Sequence, residues 1–324
     1  MNKEADFLPY PMRFTPVLQP KVWGGKKLQT LNKSIGDTIT GESWEVSAMP
    51  GFESTIDQGV YQGYKLNELW QQFGKQIGGN LYKNSDFPLL IKFLDAAENL
   101  SVQVHPNDQQ AEQISVAQGK TEMWYVLQAD SQARIYLGFQ KEISKEKLQE
   151  ILQQGNVVEH LRQYKPVAGD CFFVPAGTVH AIGGGVLLAE IQQNSDTTYR
   201  LYDWDRNGTA QNPRELHIEQ GLQVFNPKSE NAAKCSYDTT PNQLNPMVRS
   251  AYFATNYLKV QGEFQHQMSQ TFCILMCTKS SGIMHYGSES LEFYAGDTFL
   301  LPAELKEFSI RATDAELLHI SPVG

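Results

Sequence analysis

Two eight-residue stretches of this chain nearly repeat one another. Gly169-Asp170-Cys171-Phe172-Phe173-Val174-Pro175-Ala176 and Gly296-Asp297-Thr298-Phe299-Leu300-Leu301-Pro302-Ala303 each read as a Gly-Asp turn, an apolar strand and a Pro-Ala stop. Glycine and aspartate open tight turns, and proline ends a ladder because it has no N–H to give. The same β unit therefore occurs twice. The first copy continues into Gly177-Thr178-Val179-His180 and the second into Glu304-Leu305-Lys306-Glu307, so a histidine ends only the first. Elsewhere, short runs rich in Val, Ile, Phe and Tyr are broken by Gly, Pro and Asn/Asp, the pattern of an all-β sandwich or barrel. With 324 residues there is material for two average domains.

Helical periodicity is confined to a few places. Leu66, Leu69, Trp70 and Phe73 recur at helical spacing, and Gly74 is the expected stop. Leu148, Ile151, Leu152, Val158 and Leu161 predict a small helical insertion at about 144–162. Asn212-Pro213-Arg214-Glu215 has the form of an N-cap, a first-turn proline and a capping-box glutamate, and predicts a helix through Leu222. The polar, turn-rich segment Asn226–Asn245 marks a boundary, giving units 1–225 and 226–324.

The net charge of −9 argues against a nucleic-acid or acidic-membrane partner. It also means that an anionic substrate must be met by clustered cations, which suffices because salt screens the wider field within about 8 Å. No run of about 18 apolar residues occurs, and the N-terminal stretch lacks the apolar core of a signal peptide, so a cytoplasmic protein is expected. Cys171, Cys235, Cys273 and Cys277 contain no CxxC pair, which fits reduced thiols and excludes a Cys-rich structural zinc site.

Strand parity picks out the chemistry-bearing residues. From Leu100 to His105, Ser101, Gln103 and His105 share one face, while Leu100, Val102 and Val104 share the other. Lys120, Glu122 and Trp124 alternate on the next strand, and Val186–Gln193 places Glu190 and Gln192 opposite Leu187, Ala189 and Ile191. Lys92 sits inside the apolar run Leu89–Leu94, where a charge needs a partner. Each of these residues alone has an ordinary reading, such as a polar strand face that meets water. Together, two histidines, a carboxylate and a carboxamide have the composition of a catalytic zinc centre with a replaceable position.

Gly169-x5-Pro175-x-Gly177-x2-His180 resembles the second motif of the cupins. Gln103-x-His105 followed by Glu122 resembles the first motif, with Gln for its first His and a longer gap before the Glu. That variant is similar to the type I mannose-6-phosphate isomerases (phosphomannose isomerases) in their short bacterial form. Trp23-Gly24-Gly25, Gly41-Glu42-Ser43-Trp44-Glu45, Gly119-Lys120-Thr121-Glu122-Met123-Trp124 and Ser195-Asp196-Thr197-Thr198-Tyr199-Arg200 carry the resemblance over the first two thirds of the chain. The last third resembles the family only through the second Gly-Asp unit.

The resemblance implies a double-stranded β-helix (cupin jelly roll), as two cupin-like units, the second degenerate. It implies one zinc ion per chain held by Gln103, His105, Glu122 and His180. Arg200, Glu190 and Lys120 would be catalytic, and Ser101 and Lys92 would lie at the substrate's phosphate end. The implied reaction interconverts mannose 6-phosphate and fructose 6-phosphate through a metal-stabilised enediolate. Either Glu190 or Lys120 would move the proton; Glu190 is favoured, because burial on an inward face raises a carboxylate's pKa, and the alternative is that it orients Lys120 or Arg200 as a salt-bridge partner. The same donors also suit iron, manganese or cobalt. An iron dioxygenase-like cupin and a non-catalytic sugar-binding cupin are the competing readings, and a monomer or weak homo-oligomer is expected.

Overall fold

Along Val186–Gln193 every residue is buried, although only alternate side chains can face one way. The strand must therefore lie between two apolar layers. Val186 and Leu188 join Leu94, Trp124, Val126 and Phe172 in one of them. Leu187, Ala189 and Ile191 join the other, with Phe93 and Tyr125 but also Ile274, Leu318 and Ile320 from far along the chain. The computed structural model describes residues 7–82, 86–115, 118–206, 208–209, 212–228 and 232–323.

The first layer is the inside of a barrel. One wall is a seven-stranded sheet in the order Ala233–Cys235, Cys171–Val174, Glu122–Ala129, Val186–Gln193, Leu89–Ala96, Glu42–Val46 and Val17–Gln19. The other is a five-stranded sheet in the order Tyr199–Tyr202, Val102–Val104, His180–Ile182, Ile135–Phe139 and Leu161–Tyr164. A nine-stranded sheet carries the C-terminal residues and encloses a second interior of Leu258, Val260, Leu275, Phe299 and Leu317. This is the expected double-stranded β-helix, present as two barrels back to back across the shared layer.

The repeated unit folds the same way in both. Gly169 and Gly296 have φ of 89° and 97°, a left-handed conformation that favours glycine. Gly169 N–H donates to Val126 O at 2.8 Å and Gly296 N–H to Cys277 O at 2.9 Å. Asp170 Oδ2 accepts from Val167 N at 3.0 Å, and Asp297 Oδ2 from Tyr294 N at 2.8 Å.

The chain crosses the expected 225/226 division in both directions. Met12–Thr15 pairs with Thr298–Leu301 of the second barrel, and Ala233–Cys235 pairs with Cys171–Val174 of the first. Each copy of the repeated strand thus has its outer edge covered from across the boundary, which removes an exposed ladder.

Three local expectations need correction. The first helix runs Leu66–Gly78, past the expected stop at Gly74. Phe73, at φ −127° and ψ 25°, kinks it, and a Cβ on Gly74 would lie 2.0 Å from the Tyr82 ring, so this glycine serves close packing. The insertion forms helices Lys145–Gln154 and Val157–His160, with Ser144 Oγ capping Lys147 N at 3.2 Å, but Leu161 already starts a strand. Asn212-Pro213 opens no helix. Its backbone pairs with 208–209, and the helix is Ile218–Val224, where Leu222 and Val224 find apolar partners in Val104 and Leu201.

Candidate active site

Register brings distant residues to one point. His180 opens its strand directly opposite Gln103, and Val174 at the end of the Gly-Asp strand faces Glu122. Gly177 N–H donates to His105 O at 2.8 Å, which ties the end of the Gln103 strand to the Pro-Ala-Gly turn. Asn107 then caps the short helix Asp108–Gln113.

The imidazoles are oriented by backbone carbonyls. His105 Nδ1 lies 2.9 Å from Thr197 O, and His180 Nδ1 2.9 Å from Thr178 O. Each Nδ1 is thereby the donor, and each Nε2 keeps its lone pair. The two Nε2 atoms approach Glu122, at 3.6 Å from Oε2 and 3.3 Å from Oε1. The ligand atoms of the three buried residues lie within 4.8 Å of one another. Burial and then Lys120 lower the pKa of both rings, that of His180 to about 3, so both are neutral near pH 7. Burial pushes Glu122 up to about 7 against the pull of Lys120, which reaches its Oε2. Glu122 Oε1 has no hydrogen-bond donor. An unsatisfied buried carboxylate oxygen facing two imidazole lone pairs fits a divalent cation.

The side chain of Gln103 is turned with Nε2 toward His180 Nε2, at 3.3 Å, while Oε1 accepts from Ser101 Oγ at 3.3 Å. Ligation through its oxygen requires the amide the other way round.

A cavity of about 320 Å³ opens above the cluster. Lys21, Lys92, Lys120, Arg200 and Arg214 line it with Glu42, Glu190 and Asp196, five cations against three carboxylates. The local excess is positive although the whole chain is negative. Buried charges alternate along the floor. Glu42 lies between Lys21 (3.7 Å) and Lys92 (3.6 Å), and Glu190 between Lys92 (3.4 Å) and Lys120 (3.9 Å). Trp44 Nε1 donates to Glu42 at 2.6 Å and Trp124 Nε1 to Glu190 at 3.1 Å.

Burial does not lift Glu190 as expected. It would do so alone, but Lys120 and then Lys92 outweigh it and hold the carboxyl at about 2. Burial likewise opposes the charge on Lys92, yet Glu42 and Glu190 keep its pKa above the ordinary lysine value. Arg200 lies on the edge strand Tyr199–Tyr202. Its Nη1 donates to Glu215 O at 2.6 Å, and its Nε has no hydrogen-bond acceptor, only Asp203 at 4.0 Å. Asp203 instead holds Arg206 and Arg214. Of the candidates from the sequence, His105, Glu122 and His180 lie behind Gln103 and Lys120, which touch them, while Lys92, Ser101, Gln103, Lys120, Glu190 and Arg200 line this cavity. Glu42, Lys21 and Arg214 lie there too, without having been singled out. Glu42 had a legible signal, a charge between Gly41 and the apolar strand residues.

Barrel and donor cluster together define a cupin with a cluster that could hold a metal ion. Residues 12–150 match the family model for the catalytic domain of type I phosphomannose isomerase, and residues 243–321 that for the mannose-6-phosphate isomerase cupin domain. The mannose-6-phosphate isomerase ManA of Bacillus subtilis is 37% identical over 303 residues, 93% of this chain and 95% of that protein. The mannose-6-phosphate isomerase of Streptococcus mutans is 37% identical over 301 residues, 92% and 94% of the two chains. The crystal structure of the Bacillus subtilis mannose 6-phosphate isomerase superposes with a TM-score of 0.88 at 34% identity, over 95% of this chain and 99% of that one. A Salmonella typhimurium phosphomannose isomerase structure, at 16% identity and a TM-score of 0.79 over 97% and 100% of the chains, shares the fold. The chain belongs to the type I phosphomannose isomerase family. Among the described residues no helix is long and apolar enough to cross a membrane.

Proposed function

We infer that the chain is an aldose–ketose isomerase that interconverts mannose 6-phosphate and fructose 6-phosphate. The observation that carries this reading is the His105–Glu122–His180 cluster, joined through Gln103 and Lys120 to a cavity with an excess of cations. An O₂-activating cupin needs no such excess. We assign the metal to zinc, one per chain, held by His105, Glu122 and His180 with Gln103 as fourth donor after its amide turns. Bound there, the ion supplies Lewis acidity toward the sugar's carbonyl and hydroxyl oxygens.

The reaction moves the C2 proton of the aldose to C1 and the O2 proton to O1, through an enediolate. Lys120 is the group we assign to carbon-to-carbon proton transfer, because it touches the donor cluster and lines the cavity. It takes the proton from C2 and returns it at C1. Glu190, already paired with Lys92 and Lys120, is a positioning residue. Arg200, permanently charged and weakly paired, faces the developing negative charge with a preorganised donor fork. Ser101 and Lys92, with Lys21, hold the phosphate, so that remote binding energy fixes the reacting carbons. We read residues 1–225 as the catalytic unit and 226–324 as non-catalytic, which is supported by the position of all four donors. A cytoplasmic location is supported by the free thiols of all four cysteines.

A coupled assay starting from mannose 6-phosphate tests the reading. Chelation should abolish turnover and zinc should restore it. Full turnover in metal-free protein contradicts the metal assignment, and no turnover under any loading contradicts the activity.

A further inference from the structure

Strand registers extend the Gly-Asp repeat into a residue-by-residue correspondence between the barrels. Val174 faces Glu122 in the first, and its counterpart Leu301 faces Cys273 in the second. Lys92 pairs with Glu190, and Asn256 with His319. Gln103 pairs with His180, and Gln267 with Glu307. The second barrel also has a cavity at this place, of about 540 Å³, lined by Asn256, Gln267, Ser269, Thr271, His319 and Arg249 among others. It is the counterpart of the cavity in the first barrel, with the carboxylates and all but one cation gone.

His319 stands where the first barrel has Glu190. It is 4% exposed, lines the cavity, and neither ring nitrogen has a hydrogen-bond partner among the described residues. Its ring meets His266, which also lines the cavity, edge-on at 5.1 Å. Burial holds its pKa near 3, so the imidazole is neutral and offers the cavity one donor and one acceptor. A buried polar group without a partner calls for a ligand. The grouping of three metal donors among the described residues lies in the first barrel, so the second cavity is not a copy of the metal site. Its described lining holds amides, hydroxyls and imidazoles beside apolar residues such as Leu244, Val248 and Val323, with Arg249 as the one formally charged side chain.

We propose that this cavity is a second small-molecule site, for a hydroxyl-rich ligand of sugar size that carries one anionic group. The volume lies within the range of about 300–1,000 Å³ that such sites occupy. Neutral amide, hydroxyl and imidazole groups match sugar hydroxyls at the closed end. Arg249, which no carboxylate of the lining neutralises, takes the anion at the mouth.

The full chain with isotope-labelled histidine is titrated with glucose 6-phosphate and, separately, with glucose, each to about 10 mM so that a millimolar affinity registers. The ring signals of His266 and His319 should shift with glucose 6-phosphate, and about tenfold more weakly with glucose. Arg249→Ala, at an exposed position, should remove that preference. Ser269→Trp, at the exposed mouth, should abolish both responses while kcat is unchanged. Unmoved His266 and His319 signals, an equal response to glucose, a preference that survives Arg249→Ala, or binding that survives Ser269→Trp would each overturn the proposal.

Discussion

Where the N-terminal barrel carries Glu122, Lys92 and Glu190, the C-terminal barrel carries Cys273, Asn256 and His319 at equivalent registers. The hairpins that present these residues are alike down to the aspartate that caps each Gly-Asp turn. The difference lies in charge. The first barrel holds a chain of alternating sign, Lys21–Glu42–Lys92–Glu190–Lys120–Glu122, half-buried at Lys21 and buried from Glu42 on, in which each ion has an opposite neighbour. Buried ions are tolerated when paired in this way and become costly once a partner is removed, by about 3–5 kcal/mol. The second barrel needs no such chain, and its interior runs from Leu258 to Leu317 as ordinary apolar core. One scaffold thus supports both an ionic site and a neutral cavity, and the chemistry resides in the side chains placed on it.

A matched pair of substitutions should separate the two barrels most strongly. His180→Ala should lower turnover by about 10³-fold or more, because the metal's Lewis acidity is lost. Glu307→Ala, at the equivalent place in the second barrel, should leave turnover unchanged in the same coupled assay. Arg200→Ala should cost about 10²–10³ in kcat. Arg200 sits on an edge strand, so the melting temperature should move little, and near-normal kcat would remove Arg200 from the mechanism.

Acid stability separates the charged barrel from the neutral one. Glu190 is held at about 2 by Lys120 and Lys92 against its burial, below the ordinary 4.5. The unfolded chain therefore takes up this proton first as pH falls. The stabilisation is complete above about pH 4.5 and is lost between there and about pH 2, by an amount of order 3 kcal/mol. Urea unfolding of metal-free protein should show that loss, and Glu190→Gln should lack this component. An unchanged pH slope in the variant contradicts the assignment. The smallest effects should be shared by both barrels. Asp170→Ala and Asp297→Ala each remove a turn hydrogen bond, and each should cost about 1 kcal/mol in the same experiment without altering kcat.

Much of this was legible in the sequence, for identifiable reasons. Val186–Gln193 matches its expected bounds because eight residues of clean alternation leave little freedom of register. The Gly-Asp units were readable because positive φ narrows the choice of residue. The Asn212-Pro213 signal misled because capping residues also suit turns, and the helix waits for the apolar residues of Ile218–Val224. Gly74 misled because a glycine at a close ring contact looks the same as one at a helix end. In the candidate site, the grouping of His105, Glu122 and His180 could be read, but the state of Glu190 could not. Its pKa depends on Lys92 and Lys120, which only the folded registers bring to it. The pairing of Lys21 and Arg214 into the same cavity was hidden for the same reason.

The proposed centre is a single divalent ion held by His105, Glu122 and His180, with none in the second barrel. Metal content of the intact chain after zinc loading and dialysis tests it most directly. The prediction is one ion per chain, lost in His180→Ala and kept in Glu307→Ala. Two ions per chain, none, or one that survives His180→Ala would contradict it.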